Sequence, residues 1–233
     1  MTKKQPLTDI EIVAPHAMWP TIRDDPRFVE IMRLARATNA LGLAYGPLAH
    51  TLVDQSPSAR RERFAAFVYV AALLKEALDT AQSLGKWFRD TEQYKEGFGA
   101  LLKNPAVQQL RSNDLDSLRD KLVFHFDRDA ISKGLGTFPL HGDVRILSYP
   151  DDGPRFGETY FDAADDAVLG FLFGDSASEQ EYYAKIEAFM GQVTDLLQAY
   201  IQSSHRIIAI GLLQLGCKKK PMVRPVYADE PVT

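Results

Sequence analysis

Phe28, Ile31, Met32, Ala35 and Leu41 recur at three- and four-residue spacing, the mark of a helix with one apolar face. Asp25 precedes Pro26, and proline suits a first helical turn, so this helix is expected to start there. Gly46-Pro47 is expected to kink or end it, and "DQSPSARRER" reads as a loop. A second helix is expected from about Ser58 to Arg89. Its "FAAFVYVAALLKEAL" is apolar nearly all round, which implies burial on several sides. A third amphipathic region covers about Thr91 to Leu110, broken by Asn104-Pro105. "SNDLDSLRDKLVFHF" follows as a helix, with Asn113 or Asp114 as its natural N-cap.

Between Gly142 and Asp162 the period changes. "DVRILSY" and "RFGETYF" are β-branched or aromatic segments around the turn-forming "PDDGP", which predicts a β-hairpin at about 143–162. A long helix from "SEQEYY" to "IAIGLL" follows, capped by Ser176 or Ser178. Residues 1–22 read as an N-terminal arm. Residues 215–233, rich in proline and without period, read as a tail that is mobile or docks as an extended arm. The expected fold is mainly α: one helical domain over 23–214, a bundle with an inserted hairpin and a long C-terminal helix.

Composition narrows the function. The chain has 233 residues, 45% hydrophobic and 25% charged, with a net charge of −4. Proteins that wrap duplex nucleic acid usually carry a strong basic excess, so any such contact here is local. Cys217 is the only cysteine, which excludes an intrachain disulfide and agrees with a reducing compartment. The N-terminus lacks a continuous apolar region, and the longest apolar runs fall short of the roughly 20 residues that span a bilayer. A cytoplasmic location without membrane contact is the expectation.

Several chemistries find no support. There is no P-loop, no dinucleotide fingerprint and no G-x-S-x-G elbow. One thiol is too few for a cysteine-based zinc site, and His16, His50, His125, His141 and His205 form no metal-binding pair. No cofactor and no metal are expected.

What remains is "SLRDKLVFHFDRD", Ser117 to Asp129. On an α-helix, Arg119 and His125 are six residues apart, hence about 120° apart around the axis. In the structural reading Arg119 pairs with Asp116 one turn back, and His125 favours the helix C-terminus. In the chemical reading they are a catalytic pair.

Arg119-Asp120, four residues and then His125 resembles the R-polar-x(3–5)-H signature of the HEPN superfamily. "LRDKLVFHFD" resembles its abortive-infection branch. The resemblance covers about residues 25–130. It implies an all-helical homodimer with facing motif helices, and a metal-independent endoribonuclease of a bacterial defence or toxin–antitoxin system, with Arg119, Asp120 and His125 as the site. The partners it implies are RNA or a nucleotide and an antitoxin protein. A non-catalytic dimerisation or nucleotide- or partner-binding module is the alternative, and a small-molecule-binding helical protein is a third. Charge around the motif helix discriminates between the first two: a basic cleft favours cleavage and an acidic one the silent module. Asp114, Asp116, Asp120, Asp127 and Asp129 crowd this helix, so cleavage requires Arg111, Lys121, Arg128 and Lys133 to face the cleft.

Other residues carry weaker signals. Glu76 and Asp79 lie one turn apart in the apolar second helix, as an exposed stripe or as partners of an arginine such as Arg119. "KKKPMVR" (Lys218 to Arg224) is a basic cluster, solvated or touching an acidic partner. Tyr149, Phe156, Tyr160 and Phe161 are expected to pack the hairpin against helices.

Overall fold

The computed structural model describes residues 8–50, 57–123, 127–137, 162–176 and 178–223. These are mainly α-helical, as the periodicity predicts. The expected hairpin lies outside the described residues except for Asp162, which opens a helix instead, and its four aromatics lie outside them too.

Three long helices make the frame: α2 (Pro26–His50), α3 (Pro57–Phe88) and α9 (Glu179–Gln214). A short helical turn, α1 (Trp19–Arg23), precedes α2, and between α3 and α9 come the pieces α4 (Glu92–Tyr94), α5 (Ala100–Lys103), α6 (Pro105–Leu110), α7 (Arg128–Thr137) and α8 (Asp162–Phe173). Ile31, Leu34 and Leu41 of α2 meet Val70, Leu74, Leu78 and Leu84 of α3 and Tyr200 and Ile207 of α9 in one buried core. The apolar run in α3 is buried along one face, from Phe67 through Val70, Ala71, Leu74 and Leu78, while Ala65 and Tyr69 remain exposed, so it is covered on fewer sides than its composition implies. None of these helices is long and apolar enough, among the described residues, to cross a membrane.

Asp25 starts α2 as expected, its Oδ1 accepting a hydrogen bond from Arg27 N at 2.8 Å. Gly46-Pro47 does not end it, because the helix runs on to His50. Part of the clash between a proline ring and the preceding residue is with that residue's Cβ, and Gly46 has none. Ser178 caps α9, accepting from Glu181 N at 3.1 Å.

Three π-helical segments interrupt the middle of the chain: Lys95–Gly99, Arg111–Leu115 and Leu118–Val123. The predicted N-cap at Asn113 or Asp114 is corrected here. Asn104 caps this helical run, its side chain accepting from Ala106 N at 2.9 Å ahead of Pro105 in the first turn. The helix is already under way at 113, so both residues sit inside it.

The two arms meet each other. Strand β1 (Thr8–Val13) pairs antiparallel with β2 (Lys218–Val223), Thr8 opposite Val223 and Val13 opposite Lys218. The tail therefore docks as an extended strand over these residues. Gly216, at φ +89°, allows the turn into it. Gly216 N donates to Leu213 O and Cys217 N to Leu212 O, each at 3.0 Å, closing the end of α9. Cys217 then packs with Ile22 and Phe28 in a small second core.

Candidate functional site

Arg119 and Asp120 sit on the third π segment. Leu110, Leu115, Leu118 and Leu122 face the core, with Leu115 and Leu118 fully buried. Five residues separate Leu110 from Leu115, one more than an α-helical repeat carries. The wider turn at Arg111–Leu115 absorbs the extra residue and returns Leu115 to the core. Asp116, Arg119 and Asp120 are left on the flank, against α3.

Arg119 lies between two carboxylates. Its Nε stands 2.6 Å from Glu76 Oε1 of α3, and its Nη1 is in close contact with Asp120 Oδ1. Nε is enclosed, and its contact with Glu76 is a charge pair rather than an aligned hydrogen bond. Asp120 first, then the charge of Glu76, hold the guanidinium more firmly protonated than usual. The side chain of Arg119 keeps 36% of its surface and that of Glu76 50%. Both readings of Glu76 thus hold in part: it partners Arg119 and it remains exposed.

Beside it is a second network. Lys75 Nζ lies 2.7 Å from Asp79 Oδ2 and 3.2 Å from Asp116 Oδ1. Arg111 Nη2 contacts Asp79 Oδ1 and sits 2.8 Å from Gln82 Oε1. Burial lowers the Lys75 pKa, but the hydrogen bonds to Asp79 and Asp116 outweigh it and leave the net shift upward. Burial raises Asp79, and the hydrogen bonds from Lys75 and Arg111 overturn this, holding the carboxyl below its ordinary value. Asp114 has no such partner among the described residues, and burial alone pushes its pKa up.

These contacts bear on the Arg119–Asp116 pair of the structural reading and on the requirement that Arg111 face the cleft for cleavage. Arg119 does not pair with Asp116, which turns to Lys75 instead. Arg111 does not face an open cleft, since Asp79 and Gln82 take it up. Lys121 and Lys133 both approach the ring of Phe171 on α8, at 5.6 and 5.3 Å from its centroid. His125 lies outside the described residues. The 120° separation from Arg119 assumed an α-helix, whereas Leu118–Val123 is wound more widely. Asp127 Oδ1 accepts from Ala130 N at 2.8 Å and so caps α7.

Lys75 is the site residue that the motif reading omits. Its four-residue spacing from Asp79 on a helix was the available signal; the bond to Asp116 had none. Asp116 and Lys75 meet only because α3 and the motif run are packed together. No family model matches the chain, and neither a curated protein nor a solved structure matches it.

Proposed function

We propose that this protein is a HEPN-like helical module that binds a partner or a nucleotide, and in which Arg119 serves chiefly to clamp the motif run onto α3. One observation carries this reading. Lys75, Arg111 and Arg119 on this face are each paired with carboxylates, and those three cations stand among Glu76, Asp79, Asp116 and Asp120. A phosphate arriving at Arg119 would have to displace Glu76 and Asp120 and enter an acidic field. Burying an anion there without a compensating cation is unfavourable.

A second reading is favoured by the exposure of Arg119, whose side chain keeps over a third of its surface. In that reading the protein is a metal-independent endoribonuclease acting as a homodimer. His125 would move the proton of the ribose 2′-hydroxyl or of the leaving 5′-oxygen. Arg119, oriented by Asp120, would hold the scissile phosphate and offset its developing charge.

Labelled single-stranded RNA, incubated with wild type, His125→Ala and Arg119→Ala with and without EDTA, separates the two. The binding-module reading expects no cleavage by folded wild type at micromolar concentration. Cleavage that survives EDTA and disappears in His125→Ala overturns it in favour of the second. Loss of a general acid–base group costs on the order of 10²–10⁴-fold in rate.

A further inference from the structure

Away from the motif, the charge balance reverses. Arg89, Lys95 and Lys103 surround a trough of about 410 Å³ whose floor and wall are Gly99, Ala100 and Tyr94, with Asp90 as its single carboxylate. None of these three cationic side chains forms an ion pair or hydrogen bond with another described residue. On the motif face, by contrast, the cations of both networks are taken up. In a chain whose net charge is −4, three unpaired cations converging on one depression repel one another and attract an anion.

The local fold holds them there. Thr91 caps α4, its side chain accepting from Tyr94 N at 3.3 Å. The Tyr94 hydroxyl donates to Ala81 O of α3 at 3.3 Å, which pins the ring as a wall. Lys95 and Lys103 sit at either end of the same helical run, about 12 Å apart along its axis. Small residues between them, Gly99 and Ala100, keep the floor low. The helix dipole accounts for Arg89 just past the end of α3 and for Lys103 at the end of α5. It does not account for Lys95, which opens the π segment.

We infer that this trough is a phosphate-binding site, with Arg89, Lys95 and Lys103 as its cationic ligands. The chemistry it selects is a phosphate monoester, a pyrophosphate or the phosphodiester backbone of single-stranded RNA. Arg89 supplies a planar fork and the two lysines supply point charges. The site is separate from Arg119 and does not depend on either reading of the motif.

The test uses the full chain and two probes. One is a short fluorescent RNA methylated at every 2′-oxygen, which no 2′-hydroxyl mechanism can cut, so its binding is independent of any cleavage. The other is pyrophosphate, titrated directly and as a competitor. Three phosphate contacts predict that log K falls with log salt at a slope of about −2. Lys95→Glu/Lys103→Glu is expected to weaken binding about tenfold or more and flatten that slope by roughly 1 to 1.5. The double variant Lys86→Glu/Lys185→Glu, equal in charge and outside the trough, is the control and is expected to change binding less than about twofold. Binding of RNA alone identifies the phosphodiester as the ligand, and displacement by pyrophosphate identifies small phosphorylated compounds. Absence of binding by both probes overturns the proposal. So does an equal loss in the control pair, since the attraction would then come from the protein's general field. Melting temperatures within about 2 °C of wild type confirm that the variants are folded.

Discussion

The Arg119 guanidinium and the Glu76 carboxylate meet across two helices, Nε to Oε1 at 2.6 Å. One contact has two consequences. It ties the π-wound motif segment to the middle of α3, and it spends on a carboxylate the charge that a phosphate would need. The motif arginine is thus anchored from a helix that lies outside the motif.

This clamp predicts a measurable coupling. In urea denaturation, a cycle of Glu76→Gln, Arg119→Met and the double variant should give an interaction energy of about 0.2–1 kcal/mol, since both side chains are partly exposed. The coupling should shrink in high salt. A coupling indistinguishable from zero would remove the clamp from the account.

The inner stripe of the same segment should matter more. Leu118 is fully buried, so Leu118→Ala removes apolar contact and leaves a cavity, at a cost of about 2–5 kcal/mol. An unfolding midpoint unchanged from wild type would place Leu118 at the surface instead.

Asp114 should respond to pH in the opposite sense to a paired carboxylate. Its folded pKa lies above 3.8 because burial penalises the charged form. The folded state therefore loses stability as pH rises through that interval, and the cost persists at neutral pH. Asp114→Asn should raise the melting temperature at pH 7 and do little at pH 3. A lower melting temperature at pH 7 would show a stabilising role for the charge.

Asp79 shows the reverse sign. Lys75 and Arg111 hold its folded pKa below 3.8, so its contribution is complete above that value and lost as pH falls through the folded pKa. Asp79→Asn should destabilise the protein at pH 7 and converge with wild type in strong acid. A penalty independent of pH would mean that charge is not the cause.

Helices α7 and α8 press together at Gly134, where an added Cβ would overlap the Ala167 carbonyl oxygen. Thr137 Oγ1 donates to Gly170 O at 2.7 Å in the same seam. Gly134→Ala should destabilise by roughly 1–3 kcal/mol despite alanine's better helix propensity. Stabilisation, the usual effect of Gly→Ala in a helix, would show that the seam can open.

The long helices, and the starts of α2 and α9 to within a few residues, were legible in the sequence. Apolar residues at three- and four-residue spacing mark α2, α3 and α9, and Asp25, Asn104-Pro105 and Ser178 lie at boundaries because capping is a local interaction. The sequence also singled out Arg119, Asp120 and His125 as a candidate site, and left Glu76 open between an exposed stripe and a partner of an arginine. Tertiary structure decided the rest. The pairing of β1 with β2 joins opposite ends of the chain, and the short alternation Asp9-Ile10-Glu11-Ile12 in β1 does not say which distant segment it pairs with. The π turns follow from the need to return Leu115 to the core, a packing demand that appears only when the α3 surface is present. Charge pairing is likewise a property of packed surfaces. A list of carboxylates in the motif run and in α3 cannot say which cations neutralise them, and the docking of the run on α3 gives Asp116 to Lys75, Asp79 to Arg111 and Glu76 to Arg119. Lys95 and Lys103 look like ordinary solvated charges in the sequence. They line one depression with Arg89 because the helical run between them brings Gly99 and Ala100 together with all three cations.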